Sequence, residues 1–354
     1  MNQRIVTHKI KVLVIDDSAL ARKILTTGLA RDPEIEVIGS APDVYVARDK
    51  IVYEKPDVLT LDVEMPRMDG VEFLRRLMPQ YPVPVIMVSA LTAPGAQVTL
   101  DALDYGAIDF VLKPSTSFGN KLEHMIEELA QKVKVASTVD VSKWKNKVRH
   151  EVRRPQASVL HGSTDKVIGI GASTGGTVAL RTVIEAFPAD MPGTVIVQHM
   201  PPKFTKMFAD KLNSIARVEV KEAEDHDRII TGRVLIAPGG MQMRVVRSGG
   251  RYLVRVQEGE KVNGHAPSVD VLFDSIAENV GVNSIGVILT GMGRDGAEGM
   301  AKMKSTGSRT LAQDERTCVV FGMPKEAYNL GGAEKYVAIN DVTIEVVRLL
   351  REMK

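Results

Sequence analysis

Cysteine is almost missing from this chain of 354 residues: Cys318 stands alone. One thiol cannot close an internal disulfide, and a cysteine-based metal cluster is excluded. Long apolar runs are lacking as well. No stretch approaches the ~20 apolar residues that cross a bilayer, and Met1 to Ile10 holds no apolar run of the kind found in a secretory leader. The expectation is a cytoplasmic protein without membrane insertion. Charge of one sign is also scarce. The net charge is +2, which gives no ground for nucleic acid as a partner of the whole chain. What remains is ordinary for a globular protein, at 44% hydrophobic residues, and the length suggests two domains.

Short apolar runs alternate with amphipathic stretches from Lys11 onward. Val12 to Ile15, Val37 to Ile38, Val58 to Leu61, Val85 to Val88 and Phe110 to Leu112 read as buried strands. Ala19 to Ala30, Val44 to Tyr53, Val71 to Met78 and Val98 to Leu103 read as helices between them. That alternation predicts a parallel sheet covered on both faces. After about Gln131 the composition changes. Residues 131–163 carry eight basic and two acidic residues together with Trp144, the one tryptophan. This stretch reads as a basic tether or docking segment, so the expected division is a first domain over 9–130, a linker over 131–163 and a second domain over 164–354.

Order resumes with strands at Val167 to Ile170, Thr194 to Val197, Val234 to Ile236 and Ile285 to Leu289. Helices are expected at Val178 to Phe187, Phe204 to Ile215 and Val271 to Val280, and a closing helix capped by Asp341 is expected through Leu350. Met243 to Val246 and Tyr252 to Val256 flank Ser248-Gly249-Gly250, which predicts a β-hairpin. The second half therefore reads as a doubly wound, mostly parallel α/β sheet with one hairpin.

Two groups of residues carry chemistry. In the first half, Asp16 and Asp17 follow the first strand, Asp62 the third, Ser89 the fourth and Lys113 the fifth. In an open parallel sheet these C-terminal strand ends line one crevice. Three carboxylates repel one another there, and oxygen ligands without His or Cys favour Mg²⁺. An aspartate can accept a phosphoryl group, Lys113 can neutralise its oxygens and the Ser89 hydroxyl can donate to them. In the second half, Gly171-Ala172-Ser173-Thr174-Gly175 places a serine on a sharp turn between a strand and a helix. His199 ends the next strand and can act as the base. Asp295, in Thr290-Gly291-Met292-Gly293-Arg294-Asp295-Gly296, can orient the imidazole. A dinucleotide site is disfavoured, because Thr174 occupies the last glycine position of G-x-G-x-x-G. His161 and His226 read as solvated, whereas His265 is a candidate for facing the substrate.

Val14-Ile15-Asp16-Asp17-Ser18, Leu61-Asp62-Val63-Glu64-Met65-Pro66, Val88-Ser89-Ala90 and Phe110-Val111-Leu112-Lys113-Pro114 resemble the receiver domain of two-component response regulators. The resemblance implies a flavodoxin-like five-stranded sheet with Asp62 as phosphoacceptor, phosphorylated from a histidine kinase. It also implies Mg²⁺ on Asp16, Asp17, Asp62 and the Glu64 backbone carbonyl, switch residues Ser89 and Phe110 with Lys113, and a cis Lys113–Pro114 bond. Gly171 to Gly176, Gln198-His199-Met200, His265-Ala266-Pro267-Ser268-Val269-Asp270, Thr290 to Gly296 and Phe321-Gly322-Met323-Pro324 resemble the catalytic domain of the chemotaxis protein-glutamate methylesterases, the CheB family. That resemblance implies hydrolysis of glutamate methyl esters, and deamidation of glutamines, on methyl-accepting chemotaxis receptors. It places nucleophile, base and acid on Ser173, His199 and Asp295, with Thr174 and Met292 beside them and no cofactor for the ester chemistry. Two other readings are a receiver-controlled hydrolase of another ester and a DNA-binding response regulator. The second half shows no compact helix-turn-helix pattern that would favour the latter.

Overall fold

The computed structural model describes residues 9–90, 93–114, 120–142 and 165–353. The expected tether from residue 143 onward, with Trp144 and His161, lies outside the described residues. Two compact units divide the chain, residues 1–149 and 150–354.

The first unit is built on β1 (Ile10–Ile15), β2 (Ile35–Ala41), β3 (Val58–Asp62), β4 (Val85–Ala90) and β5 (Asp109–Lys113). The sheet order is β2-β1-β3-β4-β5, with every pair parallel. Val12, Leu13, Val14, Leu59 and Leu61 are fully buried, as strands covered on both faces require. The covering helices are α1 (Ala19–Leu29), α2 (Val44–Glu54), α3 (Gly70–Gln80), α4 (Ala93–Asp104) and α5 (Asn120–Ala136). Ser18, Asp43 and Asp69 start the first three by accepting backbone N–H bonds of the first turn. This is the flavodoxin-like order, in which the chain reverses direction across the sheet between β1 and β3.

α5 runs on to Ala136, so the first residues expected in the tether are helical. Met125, Leu129, Val133 and Ala136 recur at helical spacing and are buried. The Lys113–Pro114 bond is not cis; among the described residues the cis bond is Ala266–Pro267. Proline lowers the cost of the cis form at any X–Pro pair without choosing which pair adopts it.

The second unit has a seven-stranded sheet. Its strands are β6 (Val167–Ala172), β7 (Gly193–Gln198), β8 (Glu219–Glu222), β9 (Arg233–Ile236), β12 (Ser284–Ile288), β13 (Arg309–Gln313) and β14 (Lys335–Val337). The order is β14-β13-β12-β6-β7-β9-β8, and every pair is parallel. The expected hairpin, β10 (Gln242–Ser248) and β11 (Arg251–Gln257), forms a sheet of its own. One of its faces buries Met243, Val245 and Val254 in the core with Phe273 and Ile276 of α8 (Val269–Asn279). The remaining helices are α6 (Gly176–Glu185), α7 (Phe204–Asn213), α9 (Ala297–Ser305), α10 (Met323–Asn329) and α11 (Val342–Glu352). Asp341 precedes α11 as expected but makes no side-chain capping bond.

Candidate active site and receiver pocket

β6 lies between β12 and β7, and the chain leaves β6 toward β7 but returns on the other side to β12. Such a reversal opens a crevice at the C-terminal strand ends. Ser173 follows β6, His199 follows β7 and Asp295 lies beyond β12, so three neighbouring strands deliver the three expected residues to one rim. The Ser173 N–H donates to Thr290 O (3.0 Å), and the His199 N–H donates to Ala172 O (3.1 Å). Gly175 has a φ of +76°, which the turn into α6 requires. At Gly291 a Cβ would come within 2.8 Å of the Ser173 Cβ, so only glycine lets these two loops approach so closely.

Buried side chains brace the serine turn. Gln198 donates through Nε2 to Ser173 O (3.0 Å) and to His199 O (3.2 Å). The Thr290 hydroxyl lies 3.0 Å from Thr174 O and accepts from the Val320 N–H (2.9 Å). Thr174 is buried. Among the described residues the Met292 N–H has no intramolecular acceptor.

Asp295 is the most heavily tied of these groups. Its Oδ2 lies 2.7 Å from His199 Nε2 and accepts from the Val269 N–H at 2.7 Å. Its Oδ1 accepts from Ser268 Oγ (2.7 Å), Asn263 Nδ2 (3.0 Å) and the Asp270 N–H (3.3 Å). Val269 and Asp270 open α8, so the carboxylate sits against a helix N-terminus. Burial alone would raise this acid. The His199 bond and charge, the Asn263 amide and the Val269 N–H outweigh burial and hold the carboxyl well below the usual range. Asp270 goes the other way. Burial and the nearby Asp295 charge push it up to about 6, against donors from Gly299, Gly296 and Asn263.

With Nε2 engaged by Asp295, the His199 nitrogen left for proton exchange is Nδ1. It is buried and has no hydrogen-bond partner. The structure therefore brings Ser173 and His199 to adjacent strand ends without a hydrogen bond between hydroxyl and imidazole. Such bonds are commonly long or misaligned before substrate binds and tighten in the complex. The imidazole of His265 stacks on that of His199, with centroids 3.6 Å apart and planes 12° from parallel. His226 is exposed, with Nε2 2.8 Å from Arg255 Nη1.

Asn263 escaped the reading of the sequence. Its amide joins Asp270 Oδ2 (2.6 Å) to Asp295 Oδ1. No motif marks it, and its link to Asp295 spans 32 residues.

In the first unit, Asp16 and Asp17 follow β1 and Asp62 ends the adjacent β3. Their carboxylate oxygens gather within 4.8 Å of one another. Lys113 Nζ lies 2.8 Å from both Asp16 Oδ2 and Asp62 Oδ2. Burial, with help from the Asp16 charge, pushes Asp62 up to about 6, against the opposing pull of Lys113 and the Glu64 N–H. Glu64 and Lys113 line the same open cleft as Asp17 and Asp62. Three clustered carboxylates, each offering an oxygen to a cation, fit a Mg²⁺ site. Ser89 is buried and engaged elsewhere, 2.8 Å from the Thr99 hydroxyl of α4. Phe110 is buried under Lys132, whose Nζ donates to Phe110 O at 2.6 Å.

Comparison with known proteins decides the family. The CheB methylesterase family model matches residues 168–346. The chain belongs to the CheB methylesterase family. A response regulator receiver domain model matches residues 12–127, the unit that holds the acidic pocket, and a receiver domain implies a Mg²⁺ site for phosphorylation. A protein-glutamate methylesterase/protein-glutamine glutaminase of Syntrophotalea carbinolica is 60% identical over 349 residues, covering 98% of this chain and 99% of that protein. Another of the same name from Sulfurimonas denitrificans is 53% identical over 350 residues, covering 98% and 99%. The CheB methylesterase catalytic domain of Thermotoga maritima superposes with a TM-score of 0.52 at 39% identity, covering 52% of this chain and 99% of that domain.

Proposed function

We propose that this CheB-family chain is a phosphorylation-controlled protein-glutamate methylesterase and protein-glutamine glutaminase acting on methyl-accepting chemotaxis receptors. The observation that carries this reading is the buried His199–Asp295 pair beside the Ser173 turn. Ser173 Oγ attacks the γ-carbonyl of a glutamate methyl ester and passes its proton to His199 Nδ1. Asp295, held ionised at the start of α8, offsets the imidazolium charge. The Met292 N–H receives the oxyanion beside Thr174. Return of the proton releases methanol, and water then cleaves the acyl-enzyme to give a glutamate carboxylate. With a glutamine side chain the departing molecule is ammonia, a poorer leaving group, so deamidation is slower. General-base assistance contributes roughly 10²–10⁴-fold and one oxyanion donor about 10²–10³-fold.

The receiver unit supplies control. Asp62 accepts a phosphoryl group from a histidine kinase, and Asp16, Asp17, Asp62 and the Glu64 carbonyl would hold Mg²⁺. Bound Mg²⁺ would neutralise phosphoryl oxygens. Lys113 pairs with the same oxygens, and Ser89 and Phe110 respond. Phosphorylation acts by shifting a population between less active and more active states. The first domain runs from residue 9 through the end of α5 at Ala136, the second spans 164–354, and the residues between them are the link. The test is methanol release from methylated receptor membranes, with and without Mg²⁺ and a small phosphodonor. Release that rises with the donor supports the reading, and no release under either condition rejects it.

A further inference from the structure

The hairpin β10–β11 carries four arginines and no acidic residue in residues 242–257. Arg244 faces Arg255 directly across the two strands. Like charges in that position oppose sheet formation, because directly opposed side chains stand only about 5 Å apart at Cβ. Side chains alternate between faces, so Arg244 and Arg255 share a face with the next pair, Val246 and Leu253, and with Arg251 beyond them. Arg228 bridges to Leu253 from the neighbouring segment and extends the same face. The opposite face is the one buried in the core. The outer face thus presents two half-buried apolar side chains among four arginines. Arg255 has partial relief from Asp225 at 3.6 Å, and Arg244 from the charge of Asp274. Arg228 and Arg251 make no ion pair among the described residues.

The position of this face matters as much as its charge. Gln242 lies on it by the same alternation, yet is buried. Its Nε2 donates to Glu260 O (3.0 Å) and His265 O (3.1 Å), and its Oε1 accepts from the Ser268 N–H (3.0 Å). The loop that carries His265 onto His199 therefore covers Gln242 at the start of β10, and the arginines of this face begin two residues further on. Arg244 is about 7 Å along the strand from Gln242 at ordinary strand rise.

We propose that this face docks the substrate: an acidic amphipathic helix whose free carboxylates meet the arginines and whose apolar side chains rest on Val246 and Leu253. The inference rests on the methylesterase reading and deepens it, because hydrolysis itself leaves carboxylates next to any ester still to be cleaved. Charges at the rim of such a surface act on encounter rate and salt dependence.

The test uses the full chain with Mg²⁺ and a small phosphodonor. The probe is an acidic helical peptide bearing one glutamate γ-methyl ester, read by fluorescence anisotropy over a range of salt. The paired substitutions Arg228→Glu and Arg251→Glu are expected to weaken its Kd at least tenfold and to flatten the salt dependence. Turnover of a small neutral glutamate methyl ester should stay unchanged. Arg228→Gln with Arg251→Gln gives a smaller loss in the same direction and guards against misfolding of the reversed pair. Equal affinity in wild type and variants overturns the proposal, as does equal binding of a peptide with its acids changed to glutamine. Arginine-dependent binding of duplex DNA without peptide binding also overturns it. If the peptide binds through the arginines but no ester is hydrolysed, the methylesterase reading fails and the docking surface stands.

Discussion

The Asp295 carboxylate, 2.7 Å from His199 Nε2, also caps the N-terminus of α8 through the Val269 N–H. One group thus serves the imidazole and the fold together. Asp295→Asn should cut methanol release by roughly 10²–10⁴-fold. It should also cost about 1–3 kcal/mol of stability, because one of the two buried accepting oxygens becomes an NH2 that faces donors. Kinetics and urea unfolding on the same preparation check both. Loss of rate with no loss of stability would contradict the dual role.

Ser268 separates these two duties. Its hydroxyl donates to Asp295 Oδ1 and accepts from the Val271 N–H. Ser268→Ala should lower stability by about 1 kcal/mol, with a smaller rate loss than Asp295→Asn because the Nε2 contact survives.

The stacked rings of His265 and His199 lead to a third expectation. An aromatic stack is worth roughly 0.5–1.5 kcal/mol, or about 2- to 10-fold in rate if it holds the base in place. His265→Ala should lose that amount in kcat, and His265→Phe should recover much of it. Equal rates in wild type and His265→Ala would show that the stack does not position the base.

Asp270 gives a pH dependence with a defined sign. Its carboxyl titrates at about 6 in the folded chain against 3.8 for an ordinary aspartate. The folded state therefore takes up a proton before the unfolded state does. Its contribution to stability is complete below about 3.8 and is lost as pH rises through about 6. The full span is at most about 3 kcal/mol. Asp295, shifted the opposite way, contributes stability above the ordinary value and loses it only under acid conditions. Between pH 5 and 8 the Asp270 effect should dominate this pair. Urea midpoints at those two pH values should differ more for wild type than for Asp270→Asn.

In the receiver unit, Asp62→Asn should abolish the rise in methanol release caused by Mg²⁺ and a phosphodonor, while basal release continues. Continued stimulation would place the phosphoacceptor elsewhere.

Much of this was legible in the sequence. Strands such as β1, β3 and β4 are apolar runs buried on both faces, and Ser248-Gly249-Gly250 between two apolar runs marks the β10–β11 turn. What escaped has physical reasons. β8 is a short, half-exposed edge strand, Glu-Val-Lys-Glu, with no apolar run to reveal it. β14 has three residues and α10 seven. α5 (Asn120–Ala136) was not expected at all, although its buried residues recur at clear spacing, and its last six residues fall in the stretch whose rising basic content reads as a tether. Strand ends foretold which elements meet at each rim. They could not foretell which His199 nitrogen faces Asp295, because that depends on ring orientation. Nor could they show Asn263 joining two acids from a loop.

The most direct test compares methanol release from methylated receptor membranes by wild type and Ser173→Ala at matched concentrations. Wild type should release methanol and the variant should fall to background while keeping its unfolding midpoint. Undiminished release by the variant would contradict the assignment of Ser173 as nucleophile and, with it, the account of the site.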